Sequence, residues 1–175
     1  MLLLIQAFEG GEMLFSVGDR VVYPMHGAGV IEAIEEKEIL GAWRKYYVMK
    51  LPLGEMKVLI PIDSISQVGL RGVIEKDEVS QVFVVLQGEQ PELSTNWNRR
   101  YRNHLEKIKS GDIYEVAEVV RNLMLRDREK GLSTGESKML DTARQILVSE
   151  LILVQGLEQA EIITVLDNLF EVAAK

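Results

Sequence analysis

The chain has 175 residues, 20 of them basic and 27 acidic, for a formal net charge of −7, and it contains no cysteine. Without cysteine there can be no disulfide, thiolate metal site or cysteine nucleophile. The negative net charge argues against a protein that binds nucleic acid non-specifically. His26 and His104 lie far apart in sequence, and no apolar run approaches the roughly twenty residues of a membrane helix. We therefore expect no metal, no cofactor and no membrane contact.

Residues 1–14 are predicted to be an N-terminal extension. The segment 9–12 before Met13 reads like a bacterial ribosome-binding site translated in frame. One hypothesis is therefore that Met13 is the natural start, and the alternative is an ordinary disordered tail. The apolar run at residues 1–5 lacks the basic flank and cleavage site of a signal peptide.

Residues 15–72 show short alternating segments separated by glycine and proline turns, which predicts a small barrel or curled sheet. Strands are expected at residues 20–23, 30–38 and 44–51 and in the segment that ends near Pro61. The inward face of that segment is predicted to comprise Met56, Val58, Ile60 and Ile62. Pro61 indicates an edge strand, because proline cannot donate to a ladder, and an open edge can accept a partner strand. Residues 63–74 are expected to complete the barrel and to form a hinge at Gly69 and Gly72.

Residues 73–175 show helical periodicity, with helices expected at 75–87, from Trp97 to about 109, at 112–130, from about 134 to 155 and at 158–173. Gly131 is a stop signal, and Ser133 with Glu136 forms a capping box for the next helix. In the Trp97 helix the predicted core stripe is Tyr101, Leu105 and Ile108. The pattern therefore predicts a helical domain after the β domain.

The stretch 95–102 combines a tryptophan, a tyrosine and three arginines at the start of a helix that Thr95 or Asn96 can cap. Residues 93–144 hold 11 basic and 8 acidic residues, so the only basic segment of this acidic chain surrounds the stretch. Arginines that hold phosphates beside an apolar ring that can enter a base step suit nucleic acid. Taken alone, the stretch is better explained by ordinary features: a tryptophan that covers a helix-bundle core and a solvated basic face. A phosphate seat at the helix start near Lys138 is a further possibility beside an ordinary cap.

The chain resembles the CarD/CdnL family of bacterial transcription regulators from about Phe15 onward. The resemblance is carried by residues 17–27 (Val-Gly-Asp-Arg-Val-Val-Tyr-Pro-Met-His-Gly), 95–101 (Thr-Asn-Trp-Asn-Arg-Arg-Tyr), 117–121 (Ala-Glu-Val-Val-Arg) and 143–148 (Ala-Arg-Gln-Ile-Leu-Val). The first motif is also similar to the polymerase-interacting domain of transcription-repair coupling factors. The resemblance implies an α+β protein of two domains, a Tudor-like β-barrel at 15–72 and an all-helical DNA-binding domain at 73–175.

The resemblance also implies a function. The barrel would dock on the β subunit of RNA polymerase, and the tryptophan that matches Trp97 would wedge into the minor groove at the upstream edge of the promoter bubble, stabilising the open complex. The residues expected at DNA are Trp97, Arg99, Arg100, Arg102, Arg126 and Lys138. Those expected at the polymerase are Lys37, Lys57, Leu59 and Pro61. Some family members carry a basic residue at the places of Leu59 and Ser137, which this chain lacks.

We therefore expect a monomeric, cytoplasmic, non-enzymatic regulator whose partners are RNA polymerase and promoter DNA. The sequence shows no Ser/His/Asp set, no paired carboxylates and no glycine-rich phosphate loop that would argue for catalysis. The alternative is a protein-interaction adaptor on the polymerase, with Trp97 in the core and no direct DNA contact.

Overall fold

The computed structural model describes residues 15–172, without the side chain of the last of these. Both the N-terminal extension with its Met13 hypothesis and the end of the helical segment at 173–175 lie outside the described residues. The strands are β1 Arg20–Tyr23, β2 Gly27–Ile39, β3 Ala42–Lys50, β4 Lys57–Pro61 and β5 Arg71–Gly72. The helices are α1 Ile65–Val68, α2 Val79–Leu86, α3 Trp97–Lys109, α4 Ile113–Lys130, α5 Thr134–Gln155 and α6 Gln159–Val172.

The five strands form one antiparallel sheet in the order β4-β3-β2-β1-β5. The long β2–β3 hairpin turns at Leu40 and Gly41, which both have positive φ, as a tight two-residue hairpin turn requires. Within residues 15–172 no ladder joins β4 to β5. The sheet is therefore open and not a closed barrel, and the predicted edge position of Pro61 in β4 is confirmed.

The sheet has its own hydrophobic cluster, with Val21, Ile31, Tyr47, Met49 and Ile60 buried. The predicted inward set of β4 is wrong at Met56, which is 62% exposed. Met56 precedes the first residue of β4, so the strand alternation does not extend to it. In β3 the alternation of side chains does not separate buried from exposed residues either, because the consecutive residues 46–49 are all buried.

The helices surround a second hydrophobic cluster, which draws buried residues from α2 to α6. Two predicted helix-end signals are confirmed: Gly131 ends α4, and Ser133 and Glu136 form both halves of the capping box of α5. In the structure Asp112 caps the start of α4. The predicted core stripe of α3 is confirmed: Ile108 is buried in this cluster, and the half-buried Tyr101 and Leu105 pack against it.

The segment expected to act as a hinge is part of the fold. Gly69 ends α1 in a left-handed conformation, and Gly72 lies in β5, where it pairs with Val21. α5 packs against β2, so the helical cluster and the sheet meet directly. No helix within residues 15–172 is both long and apolar enough to cross a membrane.

Candidate nucleic-acid interface and docking edge

Trp97 is the first residue of α3 and stands at the end of the helix. The side-chain Oδ1 of Asn96 accepts a hydrogen bond from the backbone N–H of Arg99 at 3.0 Å, so the predicted cap is present. A cap of this kind satisfies a donor that the first helical turn leaves free. The helix start is thereby fixed, and with it the direction in which the tryptophan leaves the backbone.

The Trp97 ring is held on one side and open on the other. It stacks on Tyr101 with the ring centroids 5.0 Å apart and the planes 21° from parallel. Its Nε1 donates to Ser133 Oγ at 3.0 Å, and a Cβ at Gly135 would lie 3.3 Å from Trp97 Cζ2, so the ring lies close against the start of α5. The residue is nevertheless 41% exposed. The arrangement presents a preoriented apolar plane to solvent.

The serine that accepts the hydrogen bond of Trp97 is itself held by a buried carboxylate. Glu136 is 1% exposed and accepts hydrogen bonds from Arg100 Nε at 2.7 Å and from the backbone N and Oγ of Ser133 at 3.2 Å. Arg100 also donates to the carbonyl oxygen of Ser94 at 2.8 Å. Since Ser133 accepts from Trp97, the ring, its acceptor and the buried pair form one network between α3 and α5.

Two titratable groups of this network are shifted by their surroundings. Burial by itself raises the pKa of Glu136, but the hydrogen bonds from Arg100 and Ser133 together outweigh it and hold the pKa below its usual value. Burial lowers the pKa of the neighbouring His104 to about 4, so its ring is neutral at pH 7. Nδ1 of His104 is buried without a hydrogen-bond partner.

The predicted DNA-facing residues divide into two groups. The first group is exposed: Arg99 and Arg102 follow Trp97 on α3, and Lys138 lies on α5. Arg100 corrects our expectation, because it is 4% exposed and its guanidinium group points into the Glu136 network. Arg126 is half-buried, with its Nε 3.5 Å from Glu136 Oε1.

The burial of Arg100 has a simple geometric origin. Residues 100, 104 and 108 follow the i, i+4, i+8 spacing of one helix face, and all three are buried. The spacing places these three residues on one face, but it does not reveal that Glu136, 36 residues away, supplies the counter-charge for Arg100. The proposed phosphate seat at the start of α5 is partly filled by the protein itself, since Ser133 Oγ accepts from the N–H of Glu136.

The predicted docking residues lie on two strands. Lys57, Leu59 and Pro61 are on β4, which pairs only with β3 among the described strands, whereas Lys37 is on β2. Leu59 is exposed, and Pro61 is half-buried. Lys57 Nζ lies 2.8 Å from Glu32 Oε2, and this hydrogen bond lowers the pKa of Glu32 and raises that of Lys57. Lys37 pairs with Glu35 at 3.0 Å. β4 therefore offers one unpaired edge that carries the ion-paired Lys57, whereas Lys37 lies two strands away on β2.

Sequence reasoning missed the role of Ser133 and Glu136 at Trp97, although it identified both as a capping box. It also missed the exposed apolar tip of the β2–β3 hairpin at Leu40 and Trp43. Among the described residues no group of three or more histidine, aspartate or glutamate side chains could hold a metal ion.

An unpaired sheet edge and a half-open tryptophan ring are both features that suit contact with a partner molecule. Residues 15–74 match the family model "CarD-like/TRCF RID domain", and residues 81–167 match "CarD, C-terminal domain". The chain is 42% identical over 149 residues to the Bacillus subtilis (strain 168) protein called "Putative transcription factor YdeB", a match that covers 85% of this chain and 97% of that protein.

The chain therefore belongs to the CarD family of transcription factors. The family membership supports a role in transcription regulation, and the RID match suggests an interaction with RNA polymerase. The family is generally non-enzymatic.

Proposed function

We propose that this protein docks on the β subunit of RNA polymerase and stabilises the promoter open complex by inserting Trp97 at the upstream edge of the bubble. The observation that carries the proposal is the half-open Trp97 ring, held by Tyr101 and Ser133 at a helix end beside the exposed Arg99 and Arg102. An apolar side chain held in this way suits a partly unstacked base step in the minor groove.

The DNA contact is expected to be local and weak by itself. The phosphate contacts come from Arg99, Arg102 and Lys138, with a smaller contribution from the half-buried Arg126. Arg100 acts indirectly, because it holds Glu136, which in turn holds Ser133, the acceptor of Trp97. Few phosphate contacts and a net charge of −7 leave little non-specific affinity. A tether to the polymerase raises the effective concentration of Trp97 at one place.

The bubble edge is the place where such a wedge is energetically favourable. Separating a stacked base step costs a few kcal/mol, and least where the duplex is already opening. Each ~1.4 kcal/mol by which the protein prefers the open state shifts the open-to-closed ratio about tenfold. No base-specific hydrogen bond is needed, so the effect should follow how easily a promoter melts.

The docking contact is proposed at the edge of β4. Its unpaired backbone can add to a strand of the β subunit, with Leu59 and Pro61 facing the partner, Lys57 on the same strand and Lys37 contributing from β2. In this proposal residues 15–72 form a Tudor-like docking domain with an open sheet, and residues 73–175 form the DNA-binding domain. We further propose that the protein acts as a monomer.

The test is the lifetime of open complexes of the cognate polymerase on a ribosomal RNA promoter under competitor challenge, with and without the protein. A longer lifetime is expected, together with crosslinking of a photoreactive residue at position 97 to DNA at the bubble edge. An unchanged lifetime without that crosslink, while binding to the β subunit persists, would refute the wedge and favour the adaptor.

A further inference from the structure

A bidentate ion pair crosses from the sheet to the helices. Nη1 and Nη2 of Arg71, in β5, lie 2.8 and 2.9 Å from Oε1 and Oε2 of Glu150, in α5. Glu150 is 1% exposed. Two parallel charge-assisted hydrogen bonds fix the relative orientation of the two side chains as well as their distance.

The same pair also holds the connecting backbone. Glu150 Oε1 accepts from the backbone N–H of Ile74 at 3.0 Å, and Arg71 Nε donates to the carbonyl oxygen of Gly111 at 2.8 Å. The segment that leaves the sheet and the loop before α4 are thus bonded to this pair. This is the region that we expected to be a hinge.

A second attachment lies one residue away on α5. Ser149 Oγ accepts from the backbone N–H of Ala28 at 2.9 Å and donates to the carbonyl oxygen of Ile146 at 2.7 Å. The approach of β2 is so close that a Cβ at Gly27 would come within 2.8 Å of Ser149 Oγ. Arg20 in β1 donates to the carbonyl oxygen of Leu153. Strands β1, β2 and β5 are therefore all bonded to the last two turns of one helix.

The other end of that helix supports Trp97. Residues 133, 135 and 136 at the start of α5 contact or hold the ring. Glu136 and Glu150 are separated along the helix axis by about 21 Å, at ~1.5 Å per residue. A single continuous helix thus links the sheet that carries β4 to the network that carries the tryptophan.

We propose that Arg71 and Glu150 are positioning residues that fix the direction and distance of Trp97 relative to the β4 edge. The inference rests on the proposed function, because it assigns the pair a role in how docking places the wedge. A buried ion pair contributes little net stability compared with apolar residues of similar volume, so its geometric specificity is the property to test. A rigid link presents Trp97 at one site, whereas a hinge would spread it over many positions and lower its effective concentration.

The absence of cysteine makes the distance directly measurable. Spin labels introduced through Lys45→Cys in β3 and Asp141→Cys in α5 report the orientation of sheet and helices. The test variant is Arg71→Met with Glu150→Leu, which removes the pair and retains apolar volume. The control is Arg144→Met with Asp167→Leu, which removes the 2.8 Å ion pair between α5 and α6 and does not touch the sheet. Glu150→Gln, which keeps an acceptor for Ile74, serves if the double variant fails to fold.

We expect one narrow distance distribution in the wild type and in the control, and a distribution at least twice as broad in the Arg71/Glu150 variant. Without spin labels, the increase in open-complex lifetime caused by the variant should be at least fivefold smaller than the increase caused by the wild type. Its affinities for polymerase holoenzyme and for forked promoter DNA, measured separately, should stay within twofold of wild type. A loss of both affinities would indicate a merely structural role and overturn the inference.

An unchanged distance distribution in a folded variant would also overturn it, as would a broad distribution with a wild-type lifetime. A wild-type protein with no effect on lifetime would refute the proposed function. The label distances would still decide whether the pair fixes the orientation, so the two failures are distinguishable.

Discussion

Replacing Trp97 with alanine is expected to remove most of the open-complex stabilisation while leaving the protein folded. A tryptophan side chain has up to ~250 Å² to bury. Because Trp97 is 41% exposed, about 100 Å² remains for contact with DNA. At ~25 cal/mol per Å² that area corresponds to a ceiling of about 2.5 kcal/mol, or roughly 60-fold in lifetime.

The cost to folding is smaller than the stability of a typical domain. Trp97→Ala loses the stack on Tyr101 and the hydrogen bond to Ser133. With the roughly 150 Å² of this side chain that is buried in the folded protein, the total cost is about 3–5 kcal/mol, compared with a usual free energy of unfolding of about 5–15 kcal/mol. Trp97→Phe keeps a ring against Tyr101 but loses the N–H donor and the part of the indole that lies against Gly135, so we expect an intermediate lifetime.

The assay is the decay of competitor-resistant open complexes at saturating protein, with binding to the polymerase measured in parallel. Val165→Ala is the matched control, because Val165 on α6 is also an apolar residue that is 41% exposed. It should retain the wild-type lifetime. A folded, polymerase-bound Trp97→Ala protein that prolongs the lifetime as the wild type does would show that the ring does not act as a wedge.

Two further predictions concern charge. Arg99→Ala with Arg102→Ala should reduce the slope of log affinity for promoter-bound polymerase against log salt by about 2, since each phosphate contact contributes ~0.9. The control Lys76→Ala, which removes an exposed charge outside α3 and outside the sheet, should leave the slope unchanged, and equal slopes in the control and the double variant would contradict the phosphate assignment. The second prediction concerns His104, because its burial lowers its pKa to about 4. The carboxylate of Glu136 opposes this shift more weakly. The positive charges of Arg100, Lys107 and Arg126 add to it. In the unfolded chain His104 binds a proton below about pH 6.5, whereas in the folded protein it does so only below about pH 4. The free energy of unfolding should therefore fall by about 2 kcal/mol between pH ~7.5 and ~5. Urea titrations of the wild type and of His104→Gln at the two pH values measure this loss. An equal loss in both proteins would mean that His104 is not the cause. Glu136 does not interfere, because its lowered pKa affects stability only at pH values below its ordinary pKa of 4.5.

Local signals predicted the elements and their ends well. Asn96, Asp112 and Ser133 each cap a helix through a side-chain bond to a backbone N–H two or three residues on. Such bonds depend only on neighbouring residues, so sequence spacing is enough to find them. The same holds for Gly131, whose positive φ ends α4.

Periodicity alone was less informative about which face is buried. In α3 it selected the apolar residues Tyr101 and Leu105, whereas Arg100 and His104 are more deeply buried. A charged side chain can enter the core only where a distant residue supplies its counter-charge, and no local pattern reports that. The expectation that Arg100 faces DNA failed for this reason.

The sequence by itself determined the positions of the longer strands and helices, most of their caps, the basic segment that begins near Trp97 and the family resemblance, but not α1 and β5. Only the tertiary structure decided what holds Trp97 and how sheet and helices are joined. Trp97 and its acceptor Ser133 are 36 residues apart, and Arg71 and Glu150 are 79 apart. Such contacts depend on which helix and strand faces meet, because packing of whole elements brings together groups that have no local relation in the chain.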